Sequence, residues 1–153
     1  MDIRSDDLSS SETQALVRFH MSEMRANSPE DSVFALDSSG LRDPAVTLWS
    51  AWEGDEILGM GALKQLDARS GEVKSMRTHP KHLRRGVAAT LVEHIIMEAR
   101  RRGYRRLSLE TGSGPAFEPA LALYRRRGFA NGDAFGDYVR SDFNQFLHLE
   151  IDS

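Results

Sequence analysis

The chain has 153 residues, 40% of them hydrophobic and 28% charged, which suits one soluble domain with a core of its own. A net charge of −3 argues against a general attraction to nucleic acid or to an anionic membrane. The absence of cysteine excludes disulfides and thiolate chemistry, and no leader-like or membrane-length apolar run is visible, so the cytoplasm is the expected compartment.

The first candidate element is an edge strand, Met1 to Arg4, anchored by Ile3. Ser9, Ser10 and Ser11 followed by Glu12 read as a helix cap, and Leu16, Val17, Phe19, His20 and Met24 form a helical stripe to about Ala26. Ser28-Pro29 stops it. Pro29-Glu30-Asp31 opens an expected second helix through Leu36, and Asp37 to Gly40 reads as a loop.

Ala45 to Trp52 is β-branched and aromatic, Glu53 to Glu56 is a turn, and Ile57 to Leu66 completes a hairpin. Trp49 and Trp52 read as core. After a turn at Asp67 to Gly71 comes the strand Glu72 to Thr78, so three antiparallel strands are expected in succession. A short basic turn, His82-Leu83-Arg84-Arg85-Gly86, then opens a helix whose Val87, Leu91, Val92, Ile95, Ile96 and Ala99 recur at helical spacing. Arg100 to Gly103 end this helix in keeping with its dipole and a Gly cap. Arg106 to Thr111 alternates as a strand, and Gly112 to Pro115 is a loop. A helix is expected from about Phe117 to Arg127, and a last strand from Phe143 to Ile151.

Strand, Gly-containing basic turn and helix together make a place for an anion. The first amides of a helix lack partners, its dipole is positive there, and Gly86 admits close backbone approach. Arg84 and Arg85 add charged donors; a solvated basic loop is the plain alternative, but beside Gly86 and a helix start phosphate binding is the favoured reading. Basic residues are concentrated between Lys81 and Arg106 while the first thirty residues are mostly acidic and polar, a distribution that favours a small anionic ligand over a polymer. The five histidines have no metal-ligand spacing, so no metal is expected.

Two motifs carry a family resemblance. RRGVAATLV after a strand resembles the pyrophosphate motif Arg/Gln-x-x-Gly-x-Gly/Ala, with Gly86 and Ala88 at its small positions; ALALYRRRGF, Ala120 to Phe129, is similar to the signature A-x-x-L-Y-x-x-x-G-F. With the order of elements, these resemble the GNAT superfamily of N-acetyltransferases, in its branch of small bacterial enzymes, over nearly the whole chain. The resemblance implies a single domain, 1–153, of mixed α/β (α+β) class: a largely antiparallel, splayed sheet flanked by helices. It implies acetyl-CoA as acyl donor, its pantetheine met by backbone groups of Met76, Arg77 and Thr78, foremost Met76 and Thr78, and its pyrophosphate held by the amides of Arg84, Arg85, Gly86, Val87, Ala88 and Ala89. Leu83 stands where the family usually has Arg or Gln, and Phe117 where many members have Asn.

For chemistry, Glu72 lies fourteen residues before Gly86, where some members carry a catalytic Glu; an ion-paired strand-end carboxylate is its plain alternative. Glu110, at the end of the next strand, is the rival base. Tyr124 matches the family's helix tyrosine, a general acid toward the departing thiolate, or else a core aromatic. His20, Met24 and Phe34, on helices that cover the acceptor pocket in this family, are the expected substrate contacts. The expected function is acetyl transfer from acetyl-CoA to the primary amine of a small molecule by direct attack. A non-catalytic CoA-binding sensor and a protein (lysine or N-terminal) acetyltransferase are the alternatives. Assembly as a homodimer is left open.

Overall fold

The computed structural model describes residues 1–151. Seven strands form one sheet: β1 (Asp2–Ser5), β2 (Val46–Glu53), β3 (Glu56–Gln65), β4 (Ser70–Thr78), β5 (Arg106–Thr111), β6 (Ala130–Asn131) and β7 (Gln145–Glu150). Their spatial order is β1-β2-β3-β4-β5-β7-β6. Every pairing is antiparallel except β4 with β5, which run parallel for only three residue pairs, Ser70–Arg106 to Glu72–Ser108. Beyond Glu72 and Ser108 neither strand has the other as a partner, and the sheet opens into a cleft. This matches the mixed, largely antiparallel sheet expected from the order of elements, and the splay that the family resemblance implies.

Helices α1 (Ser11–Asn27), α2 (Ser38–Leu41), α3 (Val87–Arg101) and α4 (Glu118–Arg126) cover the sheet. On one face Leu16 and Val17 of α1 meet Leu48, Trp52, Met60 and Ala62. On the other, α3 packs Val87, Leu91, Ile95 and Ala99 against Leu58, Leu63 and Val73. The glycines of β3 explain how closely α3 sits. A Cβ on Gly59 would come within 2.7 Å of Val87, and one on Gly61 within 3.1 Å of Ile95. Trp49 and Trp52 are core, one in each cluster.

The segment after α1 departs from expectation. Pro29 starts only a 3₁₀ turn, Glu30–Ser32, and the chain then extends through Phe34, so there is no helix to Leu36. The expected loop at Asp37–Gly40 instead holds α2, whose first turn is capped by the Asp37 carboxylate accepting from the Gly40 amide at 2.9 Å. Asp37-Ser38-Ser39-Gly40 is a cap sequence as much as a loop sequence, and the cap prevails. The two-residue β6 was not expected; it is too short for alternation to show.

Candidate active site

The cleft between β4 and β5 encloses about 540 Å³ and is walled by both strands, α1, α4 and the extended segment at Phe34. At its apex stands Glu72, 3% exposed, on the last parallel rung. Lys74 Nζ lies 3.2 Å from its Oε2 and donates to the Tyr138 hydroxyl at 2.8 Å, while that hydroxyl donates to Glu72. Tyr138 comes from the irregular segment between β6 and β7 and is wedged edge-on between Phe34 and Phe135, at 5.2 and 5.1 Å. Burial, reinforced by the Glu72 charge and hydrogen bond, pushes its phenol far up, so it stays protonated.

Glu110 lies two residues along β5 from Ser108 and lines the same cleft. Burial is the main force raising its carboxyl to about 7; the Lys74 charge opposes this and the Glu72 charge adds to it. A carboxyl balanced near neutrality exchanges protons readily at physiological pH. Tyr124, from α4, is also a cleft residue, and burial raises its phenol to about 12 against the pull of Arg77. It packs edge-on to Phe129 at 5.7 Å and its hydroxyl has no hydrogen-bond partner among the described residues. Glu72, Glu110 and Tyr124, named separately from sequence, are thus brought to one cleft.

His20, Met24 and Phe34 line this cleft as well, although Phe34 does so from extended chain and not from a helix. Arg77 donates through Nε to His20 Nδ1 at 2.9 Å. A guanidinium can only donate, so Nδ1 is bare and the His20 proton sits on Nε2. Burial, then the charges of Arg77 and Lys74, lower His20 to about 3, so the ring is neutral. Burial also lowers Arg77 below its ordinary value.

Between Met60–Arg77 and Ala62–Lys74 the β3–β4 register shifts, so Ser75 and Met76 together face Gly61. Ser75 has φ 56°, and its buried hydroxyl lacks a partner. This bulge interrupts the ladder where β4 borders the cleft.

The end of β4 leads to the α3 terminus. Gly86, the N-cap, has φ 78°, and no side chain caps the helix. A Cβ on Gly86 would meet nothing within 4 Å, so the amides of Val87, Ala88 and Ala89 begin the helix beside open space. Arg84 also lies at positive φ, 64°, and is exposed. Arg85 is held: its guanidinium pairs with Glu53 at 2.8 Å and donates to His82 Nδ1 at 2.8 Å, and His82 Nε2 in turn donates to Glu56 at 3.2 Å. It therefore braces the loop against the β2–β3 turn. Lys74 and Tyr138 were missed from sequence: Lys74 looks like any strand lysine, and Tyr138 lies in a stretch without periodicity. Among the described residues no three His, Cys, Asp or Glu converge as a metal site.

A splayed sheet with an uncapped helix terminus beside it, and carboxyl and phenol groups in its cleft, make up a mixed α/β fold with room for an anion and for proton exchange. The Acetyltransferase (GNAT) family profile matches residues 13–129, and the chain belongs to that family. It is 54% identical over 151 residues to the uncharacterized N-acetyltransferase YsnE of Bacillus subtilis, covering 99% of this chain and 100% of that one. It is 48% identical over 149 residues to the uncharacterized N-acetyltransferase YedL of Escherichia coli, covering 97% and 94%. A Klebsiella pneumoniae protein assigned as an acyl-CoA N-acyltransferase superposes with TM-score 0.81 and 25% identity, over 97% of this chain and 96% of that one. A family member from Elizabethkingia anophelis, with acetyl-CoA bound, superposes with TM-score 0.71 and 18% identity, over 98% and 97%.

Proposed function

We propose that the chain transfers the acetyl group of acetyl-CoA to the primary amine of a small molecule, by direct attack with both substrates in the cleft. The observation that carries this reading is the cleft itself, which combines a carboxyl raised to about 7 with a protonated phenol, on a chain whose α3 begins with an uncapped terminus. The loop fits a pyrophosphate: open space at Gly86, unpartnered amides at Val87, Ala88 and Ala89, and the exposed Arg84 for charge. Met76 and Arg77 line the cleft, and Thr78 ends β4 where the chain turns toward that loop. Bound acetyl-CoA supplies the activated acyl group.

Glu110 takes the proton of the acceptor amine. Glu72 was the leading candidate from sequence, but its Oε2 is engaged by Lys74 and Tyr138. It serves better as the fixed charge that helps to hold Glu110 near neutrality. The bulge at Ser75–Met76 places a backbone amide outside the ladder, suited to polarising the thioester carbonyl. Tyr124 hands its proton to the departing thiolate.

The test is calorimetric titration with acetyl-CoA, CoA and ATP, followed by thiol-release assays over a panel of primary amines. Binding of the two CoA species and not of ATP, with amine-dependent thiol release, is expected. CoA binding without turnover on any amine would instead establish a sensor domain, and no CoA binding would overturn the reading.

A further inference from the structure

Arg77 is a cation without a counter-ion. It is half-buried on β4, its Nε is committed to His20, and it forms no ion pair among the described residues. Its terminal nitrogens have no hydrogen bond among the described residues, and the residue lines the cleft. Its neighbour on the same strand, Lys74, is satisfied by Glu72 and Tyr138. Glu23 and the neutral Tyr124 act on Arg77 only through space. Partly desolvating a guanidinium without a partner is costly, and the geometry holding it in place is specific. The Phe19 ring lies 5.7 Å from its Cζ, and His20 fixes the plane of its fork. The His20 Nε2–H is a second donor with no partner among the described residues, on a ring that also lines the cleft.

We infer that Arg77 and His20 form a carboxylate subsite for the acceptor, so that the acceptor is an amino-carboxylate: an amine directed to Glu110 and a carboxylate held by Arg77. This rests on the acetyltransfer reading above. A planar fork with one flanking N–H suits a carboxylate, and with Lys74 already paired to Glu72, one uncommitted cation with Glu23 nearby disfavours a dianionic phosphate. Along this wall the groups run from anionic Glu72 to cationic Arg77, which complements a molecule carrying both charges.

The experiment compares amino acids of increasing amine-to-carboxylate separation with their carboxamides and their decarboxylated amines, on wild type and Arg77→Met. In wild type, kcat/KM for the preferred amino acid exceeds that for its amide by roughly tenfold to a hundredfold. In Arg77→Met that ratio falls toward one. Equal use of acid and amide by wild type, or an equal loss on all acceptors in the variant, would overturn the assignment. A readout independent of turnover is the His20 ring resonance, titrated with the amino acid and with its amide in the CoA-bound protein. A shift by the acid alone supports the subsite, and identical responses overturn it. Failure of acetyl-CoA to bind at all would point to the acetyltransfer reading itself.

Discussion

The α3 terminus and the apex of the cleft, the two halves of the proposed site, are built in different ways. The α3 end is a single run of sequence, Leu83 to Thr90, in which backbone does most of the work: left-handed Arg84 and Gly86, an uncapped helix start, and a brace from Arg85 to Glu53. The apex draws Glu72 and Lys74 from β4, Glu110 from β5, Tyr124 from α4 and Tyr138 from an irregular segment, with charge tuned by burial. Backbone recognition of a phosphate tolerates variation around the loop. A proton-transfer site assembled from four elements depends on each side chain, so substitutions at the two ends should fail differently: affinity at one, turnover and its pH dependence at the other.

The largest effect is expected at the apex. Glu110→Gln should lower kcat by about a hundredfold to ten-thousandfold while acetyl-CoA affinity is retained, as calorimetry beside steady-state kinetics will read. Next is Gly86→Asp. Asp tolerates the left-handed region better than most residues but puts negative charge where the pyrophosphate belongs, so the fold should survive while acetyl-CoA affinity falls by about a hundredfold. A Kd within a factor of about three of wild type would remove the loop from cofactor binding.

A smaller effect separates roles within the apex. Tyr124→Phe should lower kcat by roughly tenfold to a hundredfold with KM for the amine little changed, because only leaving-group protonation is lost. Rescue with a donor whose thiolate leaves more easily would sharpen the assignment; equal losses with both donors would remove it.

The smallest concerns His20 and stability. Its folded value, lowered to about 3, lies below the ordinary 6.5, so its contribution is complete above 6.5 and is lost as pH falls toward 3. Thermal melts across that interval should decline less steeply in His20→Gln than in wild type; parallel slopes would show that His20 is not buried neutral.

The same contrast governs what could be read from sequence. The conformation of the α3 loop was legible because its residues are contiguous, and Gly86 followed by an apolar stripe marks a helix start locally. The splay was not visible in β4 or β5 as strings of residues and entered only through the family resemblance, since its cause is a pairing that stops after Glu72 and Ser108. Glu72, Glu110 and Tyr124 could be named singly, but their ranking needed Tyr138, which meets Glu72 only when the β6–β7 segment folds over it. The segment after Pro29 misled because its cap-forming residues begin at Asp37 and not at Pro29.

The most direct test of the account is the pH dependence of kcat/KM for acetyl transfer, measured on wild type, Glu110→Gln and Glu72→Gln. With Glu110 as base, wild-type kcat/KM rises tenfold per pH unit below about 7 and levels above it. In Glu72→Gln, which removes the charge that helps to raise Glu110, that limb should move to lower pH; in Glu110→Gln it should vanish. A limb unchanged in Glu110→Gln and lost in Glu72→Gln would return the proton transfer to Glu72 and contradict the account.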